Sequence, residues 1–412
     1  MLQITAILAE KISTNHQKIS EFFAEKFLQA PAIFYNSVDL RHSGSKIAPI
    51  DTNCFPAGFN NLSADSKIDA KKISDEFFSA NFSDAKKILI IPENHTRNLR
   101  YLENVRNLQE ILGTEKEVLV GTLIAEIKEK TVIDLENGHS LTLHPLTKKS
   151  GKIITITSFE ADVILLNNDL SDGIPEIFKN CTTPITPSPN LGWHSRRKSH
   201  HFDIYNQLAQ ELAQILGIDS WLISSMHTTC EEVDFKERKT LEPLAKKVDE
   251  LLENLRKKYQ EYGIADEPYC YVKADSGTYG IGVWPVFSGQ EVLDINKKER
   301  NKMSVLKGSV QNTRVIIQEG IKTIDKIDGK IAEPMIYMIN GQVVGNLFRA
   351  NENRDEKISL NAAGASFFDL RNLSENQLKL GLEKNRIAEV YSVIARLAAL
   401  AASIENSQIK ND

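Results

Sequence analysis

Residues 272–283 read VKADSGTYGIGV, a lysine followed by three glycines that lead into a second apolar, strand-like run. This order restricts the fold more than any other part of the chain. Glycines at 277, 280 and 282 let the backbone bend closely around an anion, because no Cβ blocks the approach. A Walker A loop would need GxxxxGK followed by Ser or Thr, yet Lys273 comes before the glycines. A dinucleotide fingerprint would need GxGxxG opening a helix, and GTYGIG opens a strand instead. The stretch therefore reads as a lysine on one strand with a glycine loop joining it to the next.

The flanking pattern alternates helical and strand-like segments, which predicts an α/β architecture. KISEFFAEKFLQA is helical and stops before Pro31, and apolar runs follow at 87–93, 117–127 and 161–169. Asn137-Gly138 and Asn340-Gly341 sit between alternating runs, the signal of two-residue hairpin turns. SHHFDIYNQLAQELAQILGID and LEPLAKKVDELLENLRKKYQEYG read as amphipathic helices ended by Gly217 and Gly263. RIAEVYSVIARLAALAASI is apolar nearly all round, so it belongs to the core or to a subunit interface; a homo-oligomer stays open on that ground. The proline-rich CTTPITPSP at 181–189 is the expected boundary between an N-terminal α/β domain (1–180) carrying the first hairpin and a second domain (190–412).

The 412 residues, 41% hydrophobic and 25% charged, suffice for two or three cores. A net charge of −5 gives no electrostatic reason to expect nucleic-acid or membrane-surface binding. The four scattered cysteines show no CxxC spacing and read as reduced, buried thiols. The N-terminus lacks a basic region ahead of its apolar residues, and no apolar run nears the roughly 20 residues that span a bilayer. A soluble, cytoplasmic protein is expected. His194, His200 and His201 cluster near a helix start and read as surface residues before a metal site; Trp193 and Trp284 read as packing.

Chemistry concentrates in the second half. After Lys273 and its loop, an apolar strand ends in Gln318-Glu319-Gly320, a hairpin finishes on Arg349, and Asn361-Ala-Ala-Gly364 forms a turn. Each element has a task if the ligand is ATP. Lys273 supplies a point charge to phosphates, with Gly277, Tyr279 and Gly280 closing over them. The strand end offers backbone groups of Gln318 and Glu319 to adenine and a carboxylate to the ribose. Arg349 stabilises charge on a transferring phosphoryl group, and Asn361 with nearby carboxylates serves Mg²⁺.

This order resembles the ATP-grasp superfamily and, within it, carboxylate–amine ligases such as glutathione synthetase. SRRKSHHFDIYNQLAQELAQILGID is similar to that superfamily's phosphate-contacting helix, whose cation falls at Lys198, with Arg196 and Arg197 as competitors. A closer likeness spans nearly the whole chain. VDLRHSGSKIAPIDTNCFPAGFNNL (38–62), IPENHTRNLRYLENV (91–105), LLNNDLSDGIPEI (165–177), GWHSRRKSHHF (192–202) and LNAAG resemble the proteobacterial glutamate–cysteine ligases of ATP-grasp type. The resemblance implies an ATP-grasp-like α/β fold with an N-terminal α/β pre-ATP-grasp domain on the substrate side, the ATP-grasp-like part filling 190–412. It implies the first step of glutathione synthesis: ATP phosphorylates the γ-carboxylate of glutamate, and the amine of cysteine displaces the phosphate. Catalytic roles fall to Lys273, Arg349 and Asn361. Arg41, Asn53, Asn94, Arg97 and Arg100 are candidates for binding glutamate and cysteine.

Two departures stand out. Many ATP-grasp enzymes carry Mg²⁺ ligands as an acid on one strand and Glu-x-Asn on the next, beyond the asparagine loop; here the chain ends soon after Gly364. Glu405-Asn406 has the wrong spacing and is placed at a frayed end, which leaves Glu319, Glu333, Glu352 and Asn361. Glu333 also precedes a proline rather than basic residues. The alternatives are another ATP-grasp carboxylate–amine ligase, such as a glutathione synthetase, and an ATP-binding module without catalysis.

Overall fold

The computed structural model describes residues 4–276, 282–304, 312–379 and 382–409. Three sheets organise them. The first is largely parallel: Lys87–Pro92 lies between Glu117–Thr122 and Val163–Asn167, with helices Ala64–Asn81 and Leu99–Leu112 on one face. KILIIP and VILLN are near-continuous apolar runs because both faces of a parallel sheet are covered. A hairpin forms around Asn137-Gly138, between Thr131–Asp134 and Ser140–Lys149, but its turn is the three-residue 3-10 segment Glu136–Gly138 rather than a two-residue turn.

The second sheet is antiparallel, in the order Ser366–Asp369, Gln342–Ala350, Lys330–Ile339, Tyr35–His42, Ile47–Asn53. Asn340 and Gly341 turn its long hairpin with φ of +51° and +67°, the left-handed pair that a two-residue turn requires. Strand alternation decides its two faces. Val38, Leu40, Ile336, Met338, Phe348 and Ala350 point to one core, where the helix Lys384–Ile409 lies against them. That helix is long and apolar enough to cross a membrane, but 72% of its apolar window is buried in the protein, so it is a core helix. The opposite face carries Ser37, Asp39, Arg41, Glu333 and Arg349.

The third sheet, antiparallel in the order His227–Cys230, Val315–Glu319, Cys270–Ala274, Val283–Val286, is backed by the helix Arg238–Glu261. Strands on both sides of the glycine loop are present as expected, and the loop residues Gly277, Tyr279 and Gly280 lie outside the described residues. The two sequence parts share the second sheet: residues 35–53 supply two of its strands and residues 330–369 supply three.

Candidate active site

A cavity of about 640 Å³ opens between the second and third sheets. Its floor is the polar face of the second sheet, and register sets the neighbours. Ser37 lies opposite Asn53 and Tyr337, Asp39 opposite Asp51 and Met335, and Glu333 opposite Arg349. All of these line the cavity.

The floor is a charge ladder. Arg349 Nη1 donates to Glu333 Oε1 at 2.6 Å and Nη2 to Asp39 Oδ2 at 3.1 Å. Arg41 Nε lies 2.6 Å from Glu333 Oε2 without hydrogen-bond alignment, an ion pair only. Its Nη1 and Nη2 donate to the carbonyls of Glu356 and Ile358, both at 2.9 Å, which pins the segment leading to Asn361. Burial, with Glu333 and Asp51 nearby, raises the Asp39 carboxyl above its ordinary range against the pull of Arg349. Burial opposes the charge on Arg349, but Asp39 and Glu333 hold its pKa up. Asp39 Oδ1 and Arg349 Nε are buried without hydrogen-bond partners among the described residues.

The cations of the facing wall come from two elements. Lys273 reaches down from its strand, and Nζ donates to Gln318 Oε1 at 2.8 Å and to the Ile50 carbonyl at 3.2 Å. Burial, only partly offset by Asp51, lowers its pKa to about 7. Lys198 opens the helix Lys198–Leu216, with Nζ 2.6 Å from Asp51 Oδ1 and 4.2 Å from the Trp193 ring centre. Asp275, just after Lys273, accepts from Ser199 N and Ser199 Oγ, both at 2.8 Å, and its carbonyl accepts from Lys198 N at 2.7 Å. A carboxylate at the N-terminus satisfies the orphan N–H groups and offsets the basic residues against the helix dipole. One aspartate thus locks the two lysine-bearing elements together.

The family model for glutamate-cysteine ligase (GshA) matches residues 9–406. The chain belongs to the glutamate-cysteine ligase family. A crystal structure from Methylobacillus flagellatus KT, provisionally named gamma-glutamylcysteine synthetase, is 39% identical over 98% of this chain and 96% of that chain, with a TM-score of 0.90. D-alanyl-alanine synthetase A from Vibrio cholerae O1 biovar eltor is 12% identical over 71% of this chain and 77% of that one, with a TM-score of 0.33. A glutathione synthetase-like effector from Globodera pallida is 9% identical over 89% and 84%, with a TM-score of 0.39. Neither of these two distant likenesses carries weight here. No curated protein matches the sequence. The fold is the mixed α/β fold shared with the Methylobacillus structure, and the activity is the joining of glutamate to cysteine.

Within the ligase, Arg41, Asn53, Arg100, Lys198, Lys273, Glu333, Arg349 and Asn361 line the cavity. Several expected residues do not. Glu319 faces away from the cavity: alternation turns it to the opposite side from Gln318, where Lys46 Nζ contacts both carboxylate oxygens at 2.8 and 2.9 Å. Burial there lowers Lys46 to about 8 even beside that carboxylate. Gln318 is buried between Lys273 and Ser225, behind the lining rather than in it. Glu352 is exposed and paired with Lys330 at 3.2 Å, and Asn94 and Arg97 are exposed outside the lining. Arg196, the competitor of Lys198, is buried against Glu405 at 2.8 Å. Glu405 is therefore no frayed-end residue: it is 2% exposed and also meets His201 Nδ1.

Sequence reasoning missed Asp39, Asp51, Asp275 and Asn351. Asn351 Nδ2 reaches the carbonyls of Leu360 and Ala363, both at 3.4 Å, and so shapes the asparagine turn. A signal for the first two is local: Asp51-Thr52-Asn53 puts an acid and an asparagine on one face of a strand that pairs with the strand of Asp39.

Proposed function

We propose that the ligase is ATP- and Mg²⁺-dependent, that ATP phosphates lie between Lys198, Lys273 and the charge ladder, and that the γ-carboxylate of glutamate reacts over Arg349. The observation that carries this reading is the facing of two buried lysines toward a floor whose Asp39 Oδ1 and Arg349 Nε lack partners among the described residues. The carboxylate oxygen attacks the terminal phosphorus of ATP, giving γ-glutamyl phosphate and ADP. The free amine of cysteine then attacks the acyl carbon, phosphate leaves with the C–O bond pair, and the nitrogen loses a proton as the amide forms. Lys273, Lys198 and Arg349 stabilise negative charge on the transferring group, and Arg41 holds Glu333 and the segment before Asn361 in place.

The donor set fits Mg²⁺. Asp39, Asp51 and Glu333 share one face, where Glu333 and Asp51 add to the cost of ionising Asp39, while Asn53 and Asn361 add neutral oxygens. Among the described residues no three acidic, histidine or cysteine side chains form a ready metal cluster. Mg²⁺ ordinarily takes one or two carboxylates and completes its shell with phosphates and water. Bound there, it would neutralise phosphate charge.

Phosphate release from ATP tests the reading. The purified protein should turn over with glutamate and cysteine together, form γ-glutamylcysteine, and stop when Mg²⁺ is chelated. Turnover independent of cysteine, or ATP binding without any turnover, refutes it.

A further inference from the structure

The cavity does not end at the charge ladder. It continues to the helix Leu99–Leu112, whose Arg100, Glu103, Asn107 and Glu110 line it. Their spacing of three, four and three residues puts them on one face. Asn104, on the adjoining stripe, is already engaged: its Oδ1 accepts from the backbone N–H groups of Gly58 and Phe59 at 2.9 and 3.0 Å. Asn107 and Glu103 are different. Asn107 is 7% exposed, and its Nδ2 donates to the Glu103 carbonyl at 2.7 Å, which fixes the amide orientation. Among the described residues its Oδ1 is left buried with no hydrogen-bond partner, as is Glu103 Oε1. Two acceptors without donors, one turn apart at a cavity wall, each cost free energy unless a ligand supplies N–H groups.

We propose that this end of the cavity is the seat of the substrate glutamate's α-ammonium, held by Glu103 and Asn107, with Arg100 or Lys67 taking the α-carboxylate. The proposal rests on the ligase reading above and names where one amino acid sits. An ammonium offers three donors and no acceptor, the complement of an acceptor-only pair. Lys67 and Arg100 line the same cavity and supply the opposite charge that a zwitterion needs. The chemistry chooses between the two amino acids. The amine of cysteine must give up a proton and present its lone pair to the acyl carbon, so a site that clamps it as ammonium would suppress the reaction. The ammonium of glutamate stays charged throughout and can be held without penalty. Glu103 and Asn107 are thus specificity residues for glutamate.

Glu103→Gln and Asn107→Leu test this by steady-state kinetics with each substrate varied in turn and with glutarate, which lacks the amine, in place of glutamate. The expected result is a rise in the KM for glutamate of about tenfold to a hundredfold in each variant, the loss of a hydrogen bond to a charged group. The KM values for ATP and cysteine should stay within about twofold, and the wild-type preference for glutamate over glutarate should collapse. An unchanged glutamate KM overturns the proposal, as does a rise confined to cysteine. Parallel losses for all three substrates, with the preference intact, mean a structural role and overturn it too. If the wild type itself shows no turnover dependent on both amino acids, the ligase reading fails instead, so the two failures are separable.

Discussion

Glu405→Ala should cost the ligase a large part of its stability, and the geometry gives the size. Arg196 and Glu405 are each about 3% exposed at the side chain. Arg196 donates Nε to Glu405 Oε2 at 2.8 Å, Nη2 to Oε1 at 3.1 Å and Nη1 to the Thr52 carbonyl at 2.5 Å. The variant leaves a buried guanidinium with the last of these bonds alone, and His201 loses its Nδ1 partner. Removing one member of a buried pair costs about 3–5 kcal/mol, against total stabilities of roughly 5–15 kcal/mol. Urea unfolding, with the midpoint read at an unchanged slope, measures the loss. The acid limb gives a second reading. Burial opposes the charge on Glu405, but Arg196 and His201 hold its carboxyl well below the ordinary 4.5. A depressed carboxylate contributes stability that is fully present above its unfolded pKa and is lost as pH falls below about 4.5. The wild type should therefore lose stability on acidification more steeply than Glu405→Ala. The double variant Arg196→Met/Glu405→Leu should recover part of the loss, because replacing both charges removes the desolvation cost. A Glu405→Ala penalty below about 1 kcal/mol, or identical acid limbs, would refute the account of this pair as a buried strut.

Lys273→Met should abolish ligation while leaving the unfolding midpoint close to wild type, since among the described residues Nζ bonds only Gln318 and a carbonyl; retained turnover removes Lys273 from the mechanism. With the free-enzyme pKa at about 7, Nζ carries its proton below that pH. Phosphate binds the charged form, so kcat/KM for ATP should fall as pH rises from about 7, by up to about tenfold per unit; a flat profile contradicts this. Gly58→Ala should destabilise by about 2 kcal/mol or more, because Gly58 has φ +120° and an added Cβ would lie 2.3 Å from Tyr337 Oη. A midpoint within error of wild type would show that the Tyr337 bond to the Ala57 carbonyl is not needed there.

What the sequence determined by itself was local. The lysine on a strand before glycines, the helix stops at Gly217 and Gly263, the two Asn-Gly turns and the buried final helix all follow from neighbours within a few residues. A hydrogen-bonded turn, a cap and a side-chain period are all written in contiguous sequence. The ligase chemistry was legible from unusual strings that carry a family resemblance. Tertiary structure alone decided which segments meet. Tyr35–His42 pairs with Lys330–Ile339 across almost 300 residues, and only that pairing puts Asp39 and Asp51 beside Glu333 and Arg349. The orientation of Glu319 toward Lys46 and the rescue of Glu405 by Arg196 are decided in the same way. Strand register between distant segments leaves no local mark, yet a slip of one residue would turn every side chain to the other face. The cavity's charges are therefore a property of the assembled sheet, while the residues that bear them are a property of the sequence.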